Sequence, residues 1–306
     1  TPSPATKDPA GGAALRLIPQ GRPPGIPYLH AGTVHLPDGS TTDLPDPTAA
    51  VTDFTSYHGG WLVGVGSGDA RVRWYDSTGA RRSDGPGIGF FAVSDDGTRT
   101  AYAQSGEIHI GITSGMGNGE QTLAGDPQAL RPVGFLRSGD LVYQAKETQV
   151  AVSDGSTIPG MVRAHAVSAE ADLVAGEDAG GNTLVVAPDG SPAWTSDTWS
   201  VWAFSLDGRY AAATHTPTQP DYDAFAILDA HTGRVVAEHD TLPRHDAIGG
   251  SPVMDEDGSL LVPATSGNLQ QTVLRLDRDG TVTRATRLFG LAPSSDMEFI
   301  DFASRP

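Results

Sequence analysis

The chain repeats one short phrase, in which an apolar strand runs into an Asp-Gly turn and a second apolar strand follows. The clearest copies lie at residues 91–103, 203–213 and 252–262. Apolar strands on both sides of an Asp-Gly pair are typical of β-hairpins. A unit of this size cannot bury its apolar faces alone, so repeated units must stack on one another. The repeat therefore predicts an all-β protein made of stacked sheets.

The spacing of the repeat predicts a ring of such sheets. Equivalent apolar positions recur at Phe54, Val93, Phe135, Val167, Phe204, Met254 and Phe302. Their mean spacing is about 41 residues, and four-stranded propeller blades repeat at about 40–45 residues. The first unit supplies only three strands, and the chain ends on an orphan apolar segment, residues 297–303. We expect that segment to pair with the N-terminal blade, which predicts a closed seven-bladed β-propeller of four-stranded antiparallel blades.

The first residues differ in composition from the repeats. Residues 1–24 are predicted to form a flexible Pro/Ser/Thr-rich tether, and residues 25–306 the propeller. The first residue is Thr rather than Met, and such spacers often follow a signal peptide or a membrane anchor. We therefore expect an extracytoplasmic protein, secreted or anchored in a bacterial cell envelope, with no direct membrane contact apart from a removed anchor. A plain disordered terminus is the alternative.

Two segments resemble a known family. Residues 203–211 and 227–236 are similar to repeats of TolB-type and WD40-like bacterial β-propellers, and the resemblance extends from about residue 25 onward. It implies the propeller fold and, for most such proteins, the binding of partners. The Gly-His and Trp-Asp signatures of WD40 blades are missing, so the resemblance does not carry over eukaryotic scaffolding partners.

Charge and composition narrow the classes of partner. The chain has 20 basic and 37 acidic residues, a formal net charge of −17, and no cysteine. Nucleic acids and anionic membranes would be repelled, because their binding needs clustered Lys and Arg. Absence of cysteine excludes a Cys-ligated zinc and a thiol nucleophile. A cationic ligand, a metal or a basic protein remains compatible with this charge.

Two acidic loops, Asp255–Gly258 and Asp277–Gly280, look like calcium loops. Neither is followed by the further ligands and the bidentate Glu that a helix–loop–helix calcium site requires. We interpret both as hairpin turns. The sequence predicts no cofactor, and calcium binding is the alternative.

Signatures of catalysis are absent from the sequence. It contains neither a Gly-x-Ser-x-Gly elbow nor a His-Glu-x-x-His motif. By resemblance, metal-dependent lactonase propellers place carboxylate and amide ligands on the inner strands. Here those strands are apolar or small at residues 92–93, 133–135, 166–167 and 253–254, so the channel is expected to lack ligands. A metal-dependent hydrolase or lactonase remains an alternative to a binding module.

Loops on a rigid scaffold are where binding residues concentrate. The two longest insertions, residues 215–223 and 238–246, both serve the sixth blade and lie on an acidic rim. Trp202 is expected to pack between blades. The candidate contacts for a protein or small-molecule ligand are Trp199, His215, Asp221, Tyr222, Asp223, His245 and Asp246. The sequence thus predicts a non-catalytic binding or sensing module, with the hydrolase and a purely structural envelope ectodomain as alternatives.

Overall fold

The computed structural model describes residues 13–45, 51–66, 71–86, 90–112, 121–216, 224–240, 242, 246–266, 270–290 and 300–303. Within these ranges the secondary structure is almost entirely β, with one short helix, α1 (Ala13–Leu17). No helix in the described part of the chain is long and apolar enough to span a bilayer.

The strands form seven antiparallel sheets, the blades of a propeller. Blade 1 comprises β1 (Tyr28–His30), β2 (Thr33–His35), β3 (Thr41–Asp43) and the last strand of the chain, β29 (Asp301–Phe302). Blade 2 comprises β4 (Val51–Tyr57), β5 (Gly60–Val65), β6 (Arg71–Tyr75) and β7 (Arg81–Pro86). Blade 3 comprises β8 (Phe91–Val93), β9 (Arg99–Gln104), β10 (Glu107–Ile112) and β11 (Gln121–Ala124).

The other four blades follow in chain order. Blade 4 comprises β12 (Arg131–Phe135), β13 (Leu141–Lys146) and β14 (Gln149–Val152), with a single bridge from Ala151 to Thr157 outside them. Blade 5 comprises β15 (Arg163–Ser168), β16 (Leu173–Glu177), β17 (Thr183–Val186) and β18 (Pro192–Ser196). Blade 6 comprises β19 (Trp199–Phe204), β20 (Tyr210–His215), β21 (Phe225–Asp229) and β22 (Val235–His239). Blade 7 comprises β23 (Asp246–Ile248), β24 (Val253–Met254), β25 (Leu260–Ser266), β26 (Gln270–Leu276), β27 (Val282–Arg284) and β28 (Phe289–Gly290).

The ring is closed by the two ends of the chain. Strand β29 pairs with β1 in the register Tyr28 with Phe302 and Leu29 with Asp301. The amide of Ala303 also donates to the carbonyl oxygen of Pro27 at 2.9 Å. This pairing leaves no unpaired edge on β1. The predicted seven-bladed propeller and its closure by the C-terminal strand are both confirmed.

The hydrophobic core lies between neighbouring blades. Between blades 3 and 4, for example, Ile108 and Ile110 pack with Phe135 and Leu141, all at most 4% exposed. Each blade therefore buries its faces against the next, as expected for repeats that cannot bury them alone.

The Asp-Gly positions are hairpin turns. In the first turn of blade 3, Asp96 Oδ1 accepts hydrogen bonds from the amide of Thr98 at 3.0 Å and from its hydroxyl at 2.8 Å. Gly97 has a φ of 67°, a left-handed conformation that glycine adopts without strain. The hydroxyl of Ser94 donates to the same oxygen at 2.6 Å, and this bond together with those from Thr98 holds the pKa of Asp96 down to about 2. The acidic look of the repeat is thus explained by turn chemistry.

The described part of the expected tether, residues 13–24, lies against blade 7. Leu15 is fully buried in the core shared by blades 6 and 7, and Gln20 forms a parallel bridge with Arg284. Buried Arg275 donates to the carbonyl oxygen of Pro23 at 2.9 Å and lies 2.5 Å from the carboxylate of Asp255. The first of the two acidic loops that resemble calcium sites is therefore occupied by protein groups.

Candidate functional site

The innermost strands surround a central channel with a cavity of about 450 Å³. The innermost strands, including β29 in blade 1, hold the same position in antiparallel sheets that repeat around the ring, so they run in the same direction. We call the face where they begin the upper face. Arg131, Trp199 and Asp301 are the first residues of their strands there, and His215 and Glu177 end the neighbouring strands at the same face.

Four innermost strands carry a β-bulge at the same place. The bulged residue, which the pairing register skips, is Thr52, Val133, His165 or Trp202 in blades 2, 4, 5 and 6. All four line the channel. A bulge adds one residue to a strand and re-aims a side chain. In blades 5 and 6 it brings a histidine and a tryptophan to the channel wall.

His165 and Trp202 form a stacked pair across the junction of blades 5 and 6. Their ring centroids are 5.0 Å apart and their planes differ by 9°. The indole Nε1 of Trp202 donates to the hydroxyl of Thr214 at 2.8 Å. Trp202 is nevertheless 37% exposed. Its ring is therefore fixed from two directions. It packs between blades 5 and 6, as expected, and part of its surface also lies on the channel wall.

Charged groups surround the histidine of this pair. Nε2 of His165 lies 3.2 Å from Oε1 of Glu177, and Arg163 reaches the other oxygen of that carboxylate at 3.4 Å. Burial lowers the pKa of His165, an effect that Glu177 opposes and Arg131 reinforces. Arg131 donates to the carbonyl oxygen of Ala164 at 2.9 Å, and burial lowers its pKa. At neutral pH this wall thus presents the neutral imidazole of His165, the carboxylate of Glu177 paired with Arg163, and the guanidinium of Arg131.

The wall formed by blades 1 and 2 is acidic. Asp53 accepts hydrogen bonds from the amides of Phe54 at 2.9 Å and Phe91 at 3.3 Å. Burial, with a smaller contribution from the charge of Asp301, raises the pKa of Asp53 to about 7, although the two amide hydrogen bonds oppose the rise. Burial likewise raises the pKa of Asp301 to about 7. In a ring of seven, these two blades face blade 5, so the acidic wall lies opposite the stacked pair.

Of the residues predicted on the rim, the structure brings two together. Trp199 and His215 are cross-strand partners in blade 6, with ring centroids 4.3 Å apart. Trp199 is only 8% exposed, so it supports the rim rather than presenting a free surface. Asp221, Tyr222, Asp223 and His245 lie outside the described residues. Asp246 begins β23 and pairs with Ser266, and its side chain lies outside the description.

The inner-strand positions predicted to be apolar or small line the channel, and charged side chains line it beside them. The positions at residues 92–93 and 166–167 do line it with apolar groups. The sequence reading missed Asp53, Arg131 and His165, which lie one to four residues before the apolar positions of their strands. In the sequence, such channel-lining residues are marked by a polar or aromatic residue within an otherwise apolar strand, as in Ala164-His165-Ala166 and Val201-Trp202-Ala203.

The described residues supply few metal ligands. No group of three or more His, Asp or Glu side chains close enough to hold a metal ion occurs within those ranges. Asp255 and Asp257 are engaged by Arg275, by the amides of Gly25 and Ser259, and by Arg22.

Comparison with known proteins concerns the fold. No family profile matches the sequence, and no curated protein matches it in sequence. Among solved structures, the chain is similar to the Cps50 (Swd1) β-propeller domain of Myceliophteria thermophila, with a TM-score of 0.60, 10% identity, and coverage of 88% of this chain and 91% of that one. Similar too is Hsv2 of Kluyveromyces lactis, with a TM-score of 0.55, 13% identity and coverage of 81% and 84%. The WD40 β-propeller domain of Doa1 gives a TM-score of 0.55, 13% identity and coverage of 87% and 88%.

The chain has the fold of a WD40 β-propeller. At these identities the likeness shows the fold alone. The WD40 fold is thus present although the Gly-His and Trp-Asp signatures are not, because stacking and turn chemistry need only apolar strands and Asp-Gly turns.

Proposed function

We propose that this propeller is a non-catalytic interaction module whose partner engages the upper mouth of the channel at blades 5 and 6. The observation that carries the proposal is Trp202. It is a bulged tryptophan, stacked on His165 and hydrogen-bonded to Thr214, that remains 37% exposed at the channel wall.

Such a residue has the properties of a binding anchor. Tryptophan is enriched among the few residues that dominate binding energy. Because the ring is already held in place, a partner would pay little conformational entropy to use it. Structural neighbours with WD40 propellers support a protein partner, since this fold commonly serves as an interaction scaffold. The acidic rim and the insertions of blade 6, including Asp221, Tyr222, Asp223, His245 and Asp246, belong to the proposed contact surface.

The two alternatives have less support. A metal-dependent propeller hydrolase would need convergent metal ligands, and the described residues contain no group of three that could hold a metal ion. A purely structural ectodomain would have no use for an anchored, partly exposed tryptophan inside the ring.

We also propose an extracytoplasmic location and a relationship to the TolB-type bacterial propellers. The support is the Pro/Ser/Thr-rich composition of residues 1–12 and the repeats at residues 203–211 and 227–236. Fractionation of cells that express the natural gene product tests the location. Recovery only in the cytosol would contradict it.

Trp202→Ala tests the interaction site. A partner captured by cross-linking to the wild-type protein would be purified, and its direct binding measured by calorimetry. Loss of an anchor costs about 2 kcal/mol or more, so affinity is expected to fall at least about 30-fold. The matched control is Trp194→Ala, because Trp194 donates to the carbonyl oxygen of Ala230 between the outer strands of blades 5 and 6. Equal binding by wild type and Trp202→Ala would contradict the proposal.

A further inference from the structure

The channel combines carboxylates with exposed apolar side chains. Five large apolar side chains in the described residues are 37% exposed or more, and three of them, Phe90, Trp202 and Leu206, line this cavity. Among the described residues, the carboxylates that line it are Asp53 and Asp301 toward the upper face and Asp95 and Glu256 beyond the opposite ends of β8 and β24, and the one guanidinium is that of Arg131. A lining of this kind suits a ligand that is apolar along its length and positively charged at one end.

Asp301 is the carboxylate best placed to receive a charge. Within the described ranges it accepts no hydrogen bond, whereas Asp53 beside it uses its oxygens to accept from the amides of Phe54 and Phe91. A buried carboxylate without a partner is costly when it ionises. A cation with N–H donors would supply both the missing charge and the missing hydrogen bonds.

We infer that the channel binds an organic cation, a guanidinium or ammonium group on an apolar stem, with the charged group at Asp301 and Asp53. The stem would lie along the apolar lining toward Trp202. This inference deepens the proposed function, because it names the chemistry that enters the channel mouth. A basic side chain of a protein partner and a free amine would share this chemistry.

A metal ion fits the same place less well. Calcium takes six to eight oxygen ligands, and the described residues around the channel bring no three carboxylates or histidines together. Arg131 stands on blade 4, two blades from Asp53, and is bonded to the carbonyl oxygen of Ala164. The cavity of about 450 Å³ falls within the roughly 300–1,000 Å³ of small-molecule sites.

The acidic pair also predicts how binding depends on pH. The pKa values of both carboxyls are raised to about 7, so the ionised fraction of Asp301, which carries the cation, increases about tenfold between pH 6 and pH 8. On the adjacent strand β1, burial lowers the pKa of His30 to about 4 and raises that of Tyr28 to about 12, so neither titrates in this range. Arg287 lies near both and lowers the pKa of each.

The test uses the whole chain and matched probes. n-Butylguanidinium, its neutral isostere n-butylurea, the capped tripeptide Gly-Arg-Gly and CaCl₂ are titrated into the protein by calorimetry at pH 6 and pH 8. The variants are Asp301→Asn, which removes the charge at constant shape, and Glu238→Gln, which makes the same charge change on the exposed outer strand β22.

Binding of the guanidinium but not of the urea supports the inference if Asp301→Asn weakens it at least tenfold and Glu238→Gln leaves it within twofold. Affinity should also rise about tenfold from pH 6 to pH 8. Tighter binding of the tripeptide than of n-butylguanidinium would identify a protein side chain as the source of the cation, and the reverse order a free amine. Equal binding of the urea, no effect of Asp301→Asn, no binding of any cation, or calcium binding that depends on Asp301 would each overturn it.

The two proposals can fail separately. If a protein partner depends on Trp202 but no organic cation binds, the inference is wrong and the interaction site stands. If the cation binds through Asp301 but no partner depends on Trp202, the interaction site is wrong and the channel is a small-molecule site.

Discussion

Leu29 near the start of the propeller pairs with Asp301 near the end of the chain, so one two-residue strand both closes the ring and places a carboxylate in the channel. Closure and the acidic wall therefore depend on the same segment. A substitution that weakens ring closure is therefore expected to alter the acidic wall of the channel as well.

Deletion of residues 300–306 should destabilise the whole propeller. It removes the buried side chains of Ile300 and Phe302 and exposes the edge of β1. Burying each large apolar side chain contributes about 1.5–3 kcal/mol, so the free energy of unfolding should fall by at least about 3 kcal/mol. Urea denaturation measures this, with deletion of residues 304–306 as the control. An unchanged midpoint would show that β29 does not hold the ring closed.

Asp301→Asn should make stability less dependent on pH. A carboxyl whose pKa is raised on folding binds more protons in the folded state, so the free energy of unfolding falls as pH rises from about 4 to about 7. The Asn variant lacks this loss at Asp301. Relative to wild type it should gain stability, on the order of 2 kcal/mol, between pH 4.5 and pH 7.5. Denaturation curves at both pH values check this, and a difference that stays constant across the range would contradict it.

Arg275→Ala should be among the most destabilising substitutions. The guanidinium is 1% exposed and pairs with Asp255, which is 2% exposed. Removing one partner of a buried ion pair leaves the other charge unpaired and costs about 3–5 kcal/mol. Arg278→Ala is the control, because its side chain is exposed and contacts Tyr210 at the surface. Similar melting temperatures for the two variants would show that the Arg275 network contributes little.

Leu15→Ala and Leu17→Ala test whether the N-terminal segment belongs to the folded unit. Leu15 is fully buried in the core shared by blades 6 and 7, whereas Leu17 is 81% exposed. Truncating a buried Leu costs about 2–5 kcal/mol, and an exposed one should cost within about 0.5 kcal/mol. Equal, small effects in urea denaturation would indicate that residues 13–17 are not held against the blade.

The architecture could be predicted from the sequence because each hairpin of the repeat is specified by residues that are close together in the chain. Turn residues such as Asp96 and Gly97 specify their hairpin wherever they occur. The missing fourth strand of blade 1 and the orphan at residues 297–303 could be matched by counting. Recognising the turns and counting the strands did not require knowledge of which side chains contact one another.

The channel site was not accessible in the same way. Whether Trp202 reaches the channel depends on a one-residue bulge, because a shift of one residue changes the face on which a strand side chain lies. The approach of Asp53 to Asp301 depends on closure of the whole ring. Docking of Leu15 was hidden because the flanking residues have the composition of a spacer.

The most direct test of the channel as a binding site is the indole N–H signal of Trp202 in the NMR spectrum. The chain has five tryptophans, and Trp202→Phe would assign this signal by its loss. We predict that n-butylguanidinium shifts it saturably while n-butylurea does not, and that Asp301→Asn weakens the response at least tenfold. A signal that stays in place, or that responds equally to both probes, would contradict the account.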